Sequence, residues 1–215
     1  MNVWDTRADA YRASADHREG PDLDRVVEWC APDPYVKALD VATGGGHVAR
    51  RLREAGATVT TLDPSPGMSP DVVARAEDIP FDDGSFDVVV SRIAPHHFVD
   101  VERAVREMAR VSRDRVVVED TLYASEDVET AERLRDPTHV RSYSEQEWRR
   151  LLERAGLEVE AVETFEKEHP LDEWLARTAC TGDEADEVRR LLADRTDENG
   201  SWWDTKIILK ARKKD

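Results

Sequence analysis

Two features of this sequence could do chemistry together. One is Gly44-Gly45-Gly46, entered from the apolar stretch Ala38-Leu39-Asp40-Val41-Ala42-Thr43. The other is Asp63, which ends a second apolar stretch, Ala57-Thr58-Val59-Thr60-Thr61-Leu62. Glycines at a strand-to-helix turn let backbone approach a ligand closely. A carboxylate at the next strand end can accept both hydroxyls of a ribose. The pair reads as a nucleotide cradle, although such a turn can also be purely structural. Gly44-Gly45-Gly46-His47-Val48-Ala49 fits G-x-G-x-x-A, so a nicotinamide cofactor stays open, and Asp63 suits it equally well. No lysine follows the turn, which excludes a P-loop of the usual kind.

A second set of candidates could handle a proton. His96-His97 follows the strand Phe86-Asp87-Val88-Val89-Val90-Ser91 and could take a proton or orient a substrate near neutral pH. The competing reading is a histidine that caps the next helix or packs on Phe98. Tyr11 and His17 lie in the N-terminal helices, and Tyr11 could offer an aromatic face to a cation. His139, Arg135 and Arg141 lie in a connecting stretch that could sit above the same cleft or be a solvated loop. Cys30 and Cys180 form no CxxC pair, so neither a disulfide framework nor a zinc site is expected.

The elements that must position these residues alternate in type. Thr6 to about Cys30 reads as two helices broken at Gly20-Pro21, with Asp22 as N-cap of the second. Strand, glycine turn and a helix from His47 to Ala55 follow, with Gly56 as its stop. Val72-Val73-Ala74 is a short strand. Phe86 to Ser91 and Arg115-Val116-Val117-Val118-Glu119 read as strands buried on both faces. Val101, Ala104, Val105, Met108 and Ala109 fall on one helical stripe. Ser144-x-x-Glu147 is a capping box. Leu157 to Phe165 is a strand, Pro170 to Arg195 a helical insertion, and Trp202 to Ala211 the closing strand. One of Trp202 and Trp203 should face the core and the other solvent or a partner. Alternating βα units imply a mainly parallel sheet with helices on both faces and ligands at the strands' carboxyl ends.

Four blocks in order resemble the class I S-adenosylmethionine-dependent methyltransferases. They are Leu39-Asp40-Val41-Ala42-Thr43-Gly44-Gly45-Gly46, Val59 to Met68, Ala76-Glu77-Asp78-Ile79-Pro80-Phe81-Asp82-Asp83-Gly84-Ser85 running on to Val90, and Ile93-Ala94-Pro95-His96-His97-Phe98. The similarity is closest to the ubiquinone and menaquinone biosynthesis branch, the methyltransferase type 11 domain, and weakens past about Phe165. It implies an α/β, three-layer Rossmann-like fold with a mostly parallel seven-stranded sheet. It implies one domain over 1–215, divided into lid helices (1–31), cofactor core (36–165), helical insertion (166–200) and closing strand (201–215). It also implies S-adenosylmethionine as cofactor and S-adenosylhomocysteine as product.

The family pattern carries cofactor roles onto Asp40, Ala42, Gly44, Gly46, Asp63, Ala76, Glu77 and Ser91, with Tyr11 on a lid. It carries in-line methyl transfer to a small molecule, with His96 or His97 as the catalytic candidates. Ala42 stands where many relatives have glycine. Arg75 stands where many have an acidic residue for the adenine, which leaves that contact to backbone near Ala76 and to Glu77 or Asp78. Two other readings remain: a cofactor-binding module without turnover, and an NAD-dependent oxidoreductase.

The chain has 215 residues, with 31 basic and 47 acidic side chains and a net charge of −16. Such a field repels phosphate backbones and anionic membranes, which argues against nucleic acid. Only six residues are lysine: Lys37, Lys167, Lys206, Lys210, Lys213 and Lys214. An acidic, lysine-poor surface fits a high-salt habitat or an ordinary acidic cytosolic protein. Met1-Asn2-Val3-Trp4-Asp5 does not read as a signal peptide, and no apolar run would span a membrane. The expectation is a cytoplasmic protein.

Overall fold

The computed structural model describes residues 3–13 and 15–214. The apolar runs become strands of one seven-stranded sheet in the order β3-β2-β1-β4-β5-β7-β6. These are β1 (Lys37–Val41), β2 (Thr58–Asp63), β3 (Val72–Val73), β4 (Phe86–Arg92), β5 (Ser112–Thr121), β6 (Leu157–Pro170) and β7 (Ser201–Lys213). β1, β2, β3, β4 and β5 pair in parallel, while β7 runs antiparallel to both β5 and β6. Chain order reverses between β1 and β4, so the loops leaving their carboxyl ends diverge and open a crevice there.

Helices cover both faces. Leu23 and Val26 of α3 (Pro21–Cys30) pack with Val48 and Leu52 of α4 (His47–Glu54) against Ala38, Val88, Val90 and Val117. On the other face, the predicted stripe of α5 (Val101–Val111) packs with Trp148 and Leu152 of α7 (Glu145–Arg154) against Leu39, Val89, Val116 and Val118. The Ser144–Glu147 capping box forms as predicted, satisfying backbone donors at the start of α7.

A third, smaller core joins α6 (Glu126–Arg135), α8 (Leu171–Ala176) and α9 (Gly182–Leu191) to Trp202. Trp202 is fully buried and meets Trp174 edge-on at 4.7 Å, whereas Trp203 is half-buried.

The described helical stretches α1 (Val3–Ala13) and α2 (Ala15–Arg18) precede the expected break at Gly20-Pro21, and α3 follows it. Two sequence expectations need correction. Asp22 is not an N-cap: Gly20 holds that position with Pro21 at the first turn, and the Asp22 carboxylate is drawn inward to Arg92 and Lys167. The cation pair outweighs what one exposed backbone donor could offer. β6 does not end at Phe165 but pairs with β7 through Pro170↔Ser201, so the boundary drawn there lies inside a strand. Its alternating burial shows one face in solvent, which hides a strand from a search for apolar runs.

Candidate active site

The glycine turn is built by hydrogen bonds from two carboxylates. Asp40, buried at the end of β1, accepts from Thr43 Oγ1 at 2.6 Å and Ala49 N at 3.2 Å. Asp63, at the end of β2, accepts from Gly44 N at 3.0 Å and Ser65 N at 2.9 Å. Burial raises the Asp40 carboxyl to about 6 against the pull of the Thr43 and Ala49 donors. Burial likewise raises Asp63, opposed by Ser65 and Gly44. Gly44 and Gly46 have φ of +50° and +75°, which glycine adopts freely. Gly45 serves close approach instead: a Cβ there would lie 3.0 Å from the Tyr11 carbonyl. Ala42 bends the chain at φ +56° without glycine's freedom.

The N-terminal helices close over this turn. Asp5 accepts from Ser65 Oγ and from Gly67 N at 2.9 Å, and Arg12 donates to the Gly67 carbonyl at 2.6 Å. His47 Nε2 lies 3.0 Å from the Tyr11 carbonyl. Trp4 packs edge-on against Tyr11 at 5.7 Å and His97 at 4.7 Å.

Beneath this cover lies a cavity of about 290 Å³. Of the residues proposed from sequence for a cofactor, Tyr11, Asp40, Ala42, Gly44, Asp63, Ala76 and Glu77 line it. Gly46 and Ser91 do not. Gly46 faces away as the N-cap of α4. Strand alternation sends Arg92 to the cavity and Ser91 into the sheet's interior, where its Oγ is fully buried without a partner among the described residues. Asp78 is turned out to solvent, its side chain 88% exposed. Glu77 accepts from Val99 N at 2.9 Å and pairs with Arg75 at 3.2 Å. Burial would raise Glu77, but its own backbone N–H, Arg75 and the Asp100 N–H outweigh it and hold it below the usual range.

A second, smaller chamber of about 40 Å³ adjoins the first and shares Tyr11, His17, Ile93 and His97 with it. His96 lines this chamber and not the larger cavity. His97 Nδ1 lies 3.0 Å from the Thr138 carbonyl, an obligate acceptor, so Nδ1 carries the hydrogen and Nε2 the lone pair. His96 Nδ1 bonds Asp120 Oδ1. Burial, with the charges of His139, Lys206 and Arg135, lowers His96 to about 3, and burial raises Asp120 to about 7. Burial and His96 hold His97 well below its ordinary value. Both rings are therefore neutral near pH 7, each with a lone pair on one ring nitrogen.

His139 and Arg135 also line the chamber, whereas Arg141 pairs with Glu147 at the surface. All six histidines of the chain line one cavity or the other. Among the described residues no group of three or more His, Cys, Asp or Glu is arranged to hold a metal.

Sequence reasoning missed Trp4, His47, Arg92, Asp120 and Lys206. Arg92 is nearly fully buried and joins Glu119 and Asp22, from β5 and α3, while donating to the His17 carbonyl at 3.0 Å. A charged residue ending a run as apolar as β4 was the available signal. Asp120-Thr121 at the end of a buried strand was another. Ile93 follows Arg92 with φ +50°, an outlier for a β-branched residue, at the wall between the cavities.

A glycine turn and two strand-end carboxylates at the crevice of this sheet define a Rossmann-like nucleotide-binding architecture. Residues 39–118 match the methyltransferase domain family. An uncharacterized methyltransferase of Bacillus subtilis, YcgJ, is 29% identical over 214 residues, covering 89% of this chain and 84% of that protein. A methyltransferase candidate from Bacillus halodurans superposes with a TM-score of 0.82 at 28% identity, covering 91% of this chain and all of that one. A demethylmenaquinone methyltransferase of Mycolicibacterium gilvum is 38% identical over 88 residues, 37% of this chain and 39% of its own length. The family model and these relatives support a class I S-adenosylmethionine-dependent methyltransferase. No described helix is long and apolar enough to cross a membrane.

Proposed function

We propose that the larger cavity holds S-adenosylmethionine and that the adjoining chamber receives a small-molecule methyl acceptor. The observation that carries this reading is the shared wall: His97 and Ile93 border both spaces, where donor and acceptor must meet. The residues fit the cofactor. Asp63 offers a carboxylate for ribose hydroxyls, the glycine turn offers open backbone, and Ala76 and Glu77 offer an edge for the adenine. The cofactor supplies an activated methyl group on a sulfonium.

The protein's own task is alignment, exclusion of water and handling of one proton. His97 Nε2 takes the proton that the acceptor loses as its new bond to carbon forms. His96, held by Asp120, orients the acceptor. Trp4 and Tyr11 exclude water from above. The lid, core and insertion act as one domain.

The test is calorimetric titration with S-adenosylmethionine, S-adenosylhomocysteine and NAD, at low and high salt. Micromolar binding of the first two without NAD is expected. Binding of NAD alone overturns the assignment. Cofactor binding without turnover on any acceptor would make the protein a sensor module.

A further inference from the structure

We propose that Glu129 is a positioning residue for the methyl transfer: from α6 it clamps the connection 136–142, and the clamped connection fixes the hydrogen of His97 on Nδ1. This rests on the assignment of His97 as proton acceptor above and deepens it.

Residues 136–142 form no helix or strand. They are stitched instead across the histidine pair. The Thr138 carbonyl lies 3.0 Å from His97 Nδ1, and Thr138 Oγ1 lies 3.2 Å from the same nitrogen. Val140 N and Arg141 N both donate to the His96 carbonyl, at 2.8 Å and 3.2 Å. Where residue 138 sits therefore chooses which nitrogen of His97 carries the hydrogen.

Two carboxylates hold this backbone. Asp136 accepts from Thr138 N at 3.0 Å and Thr138 Oγ1 at 2.7 Å, an Asx turn that shapes the connection locally. Glu129 reaches the other side of Thr138. Ser142 N donates to both its oxygens, at 3.1 Å and 3.2 Å, and His139 Nε2 donates to Oε2 at 3.2 Å. One side chain thus ties a backbone group and a ring of the connection to the body of α6.

Glu129 lines neither cavity, so it acts through these contacts. It is 3% exposed. Burial would raise its carboxyl, but the His139 and Ser142 donors outweigh it and hold it below its ordinary range. Arg133 stands 3.7 Å from Oε2 on the outer side. An apolar side chain at this position would carry no desolvation cost. The carboxylate's bonds go to the connection that carries the Thr138 carbonyl.

The consequence falls on the proton. With its hydrogen on Nδ1, His97 holds its lone pair on Nε2 and can take the proton that the acceptor loses. The other tautomer carries hydrogen on Nε2 and cannot take a proton there.

The experiment is nitrogen-15 NMR of the histidine rings in the full chain, free and saturated with S-adenosylhomocysteine. Calorimetry first establishes that S-adenosylhomocysteine binds. Absence of binding sinks the cofactor reading, while the ring signals of the free protein still decide the clamp. The parent His97 should show one neutral tautomer with hydrogen on Nδ1. Glu129→Ala should keep S-adenosylhomocysteine affinity, speed exchange of the Ser142 amide by about tenfold or more, and replace the single His97 tautomer with an averaged pair. Glu129→Gln keeps an acceptor for Ser142 N and should restore the single His97 tautomer. If Glu129→Ala does not fold, Glu129→Asp, one methylene shorter, should show the same averaging. A purely structural role would lower the denaturation midpoint of the alanine or aspartate variant and leave the His97 tautomer single, which overturns the proposal. So does a parent His97 with its hydrogen on Nε2, or a glutamine variant that averages as the alanine variant does.

Discussion

His96 Nδ1 is bonded to Asp120 Oδ1 in the wall of the smaller chamber, two side chains brought together from the loop after β4 and the end of β5. Asp120 is fully buried and its second oxygen has no partner among the described residues. The protonation of this carboxyl decides which nitrogen of His96 carries the hydrogen.

That relationship sets a pH dependence. Burial raises Asp120 to about 7 and lowers His96 to about 3. Below pH 7 the carboxyl donates to Nδ1 and the hydrogen sits on Nε2. Above it the carboxylate accepts from Nδ1 and frees the Nε2 lone pair. Methyl transfer should therefore rise with pH through about 7 and level off above it. Asp120→Asn should flatten the rise and lower kcat by about 10²-fold while leaving S-adenosylhomocysteine affinity unchanged. A raised carboxyl binds its proton more tightly in the folded state, so its contribution to stability falls as pH climbs from about 4 to about 7. Asp120→Asn should accordingly be no less stable than the parent at pH 8, read by urea denaturation.

Asp63→Asn tests the cofactor cavity. The substitution keeps the shape but loses the charge that accepts from Gly44 N and would accept from a ribose. Charge-assisted bonds of about 1.5–3 kcal/mol predict a weakening of S-adenosylhomocysteine binding by roughly one to two orders of magnitude. Calorimetry reads it, with circular dichroism as the check on folding. Unchanged affinity would remove Asp63 from the ribose role.

Arg92→Met should be among the most damaging single changes. Arg92 bridges Glu119 and Asp22, both buried, and its loss leaves Glu119 without a cation and Asp22 with Lys167 alone. Breaking a buried pair from one side costs about 3–5 kcal/mol. The denaturation midpoint should fall to match. A loss below about 1 kcal/mol would mean that the carboxylates simply protonate.

Ala42→Gly should stabilise the fold. Ala42 holds φ +56°, where a Cβ costs about 1–2 kcal/mol and glycine costs about 0.5–1 kcal/mol in lost chain freedom. The net expectation is a gain of a few tenths to about 1 kcal/mol with S-adenosylhomocysteine affinity kept. A loss of stability would show that the methyl's packing beside the core outweighs the backbone strain.

The sequence by itself determined the order of elements and the glycine turn. Continuous runs such as Val88-Val89-Val90 and Val116-Val117-Val118 read as buried strands because burial on both faces demands them, and both are buried. The stripe of α5 and the capping box of α7 were legible for the same local reason: their signals repeat within a few residues.

What lies at long range was decided by the tertiary structure. Asp22 looked like a cap because its neighbours alone favour one; only the fold brings Arg92 and Lys167 beside it. Ser91 lies next to cavity-lining Arg92 in sequence yet points the other way, since strand pleating alternates and the sheet decides which face meets the crevice. The six histidines are scattered from His17 to His169 and gather only because the sheet reverses its order beside β1 and carries their loops to one end. Sequence periodicity reports what is near along the chain. The chemistry of this protein rests on what the crossovers bring near in space.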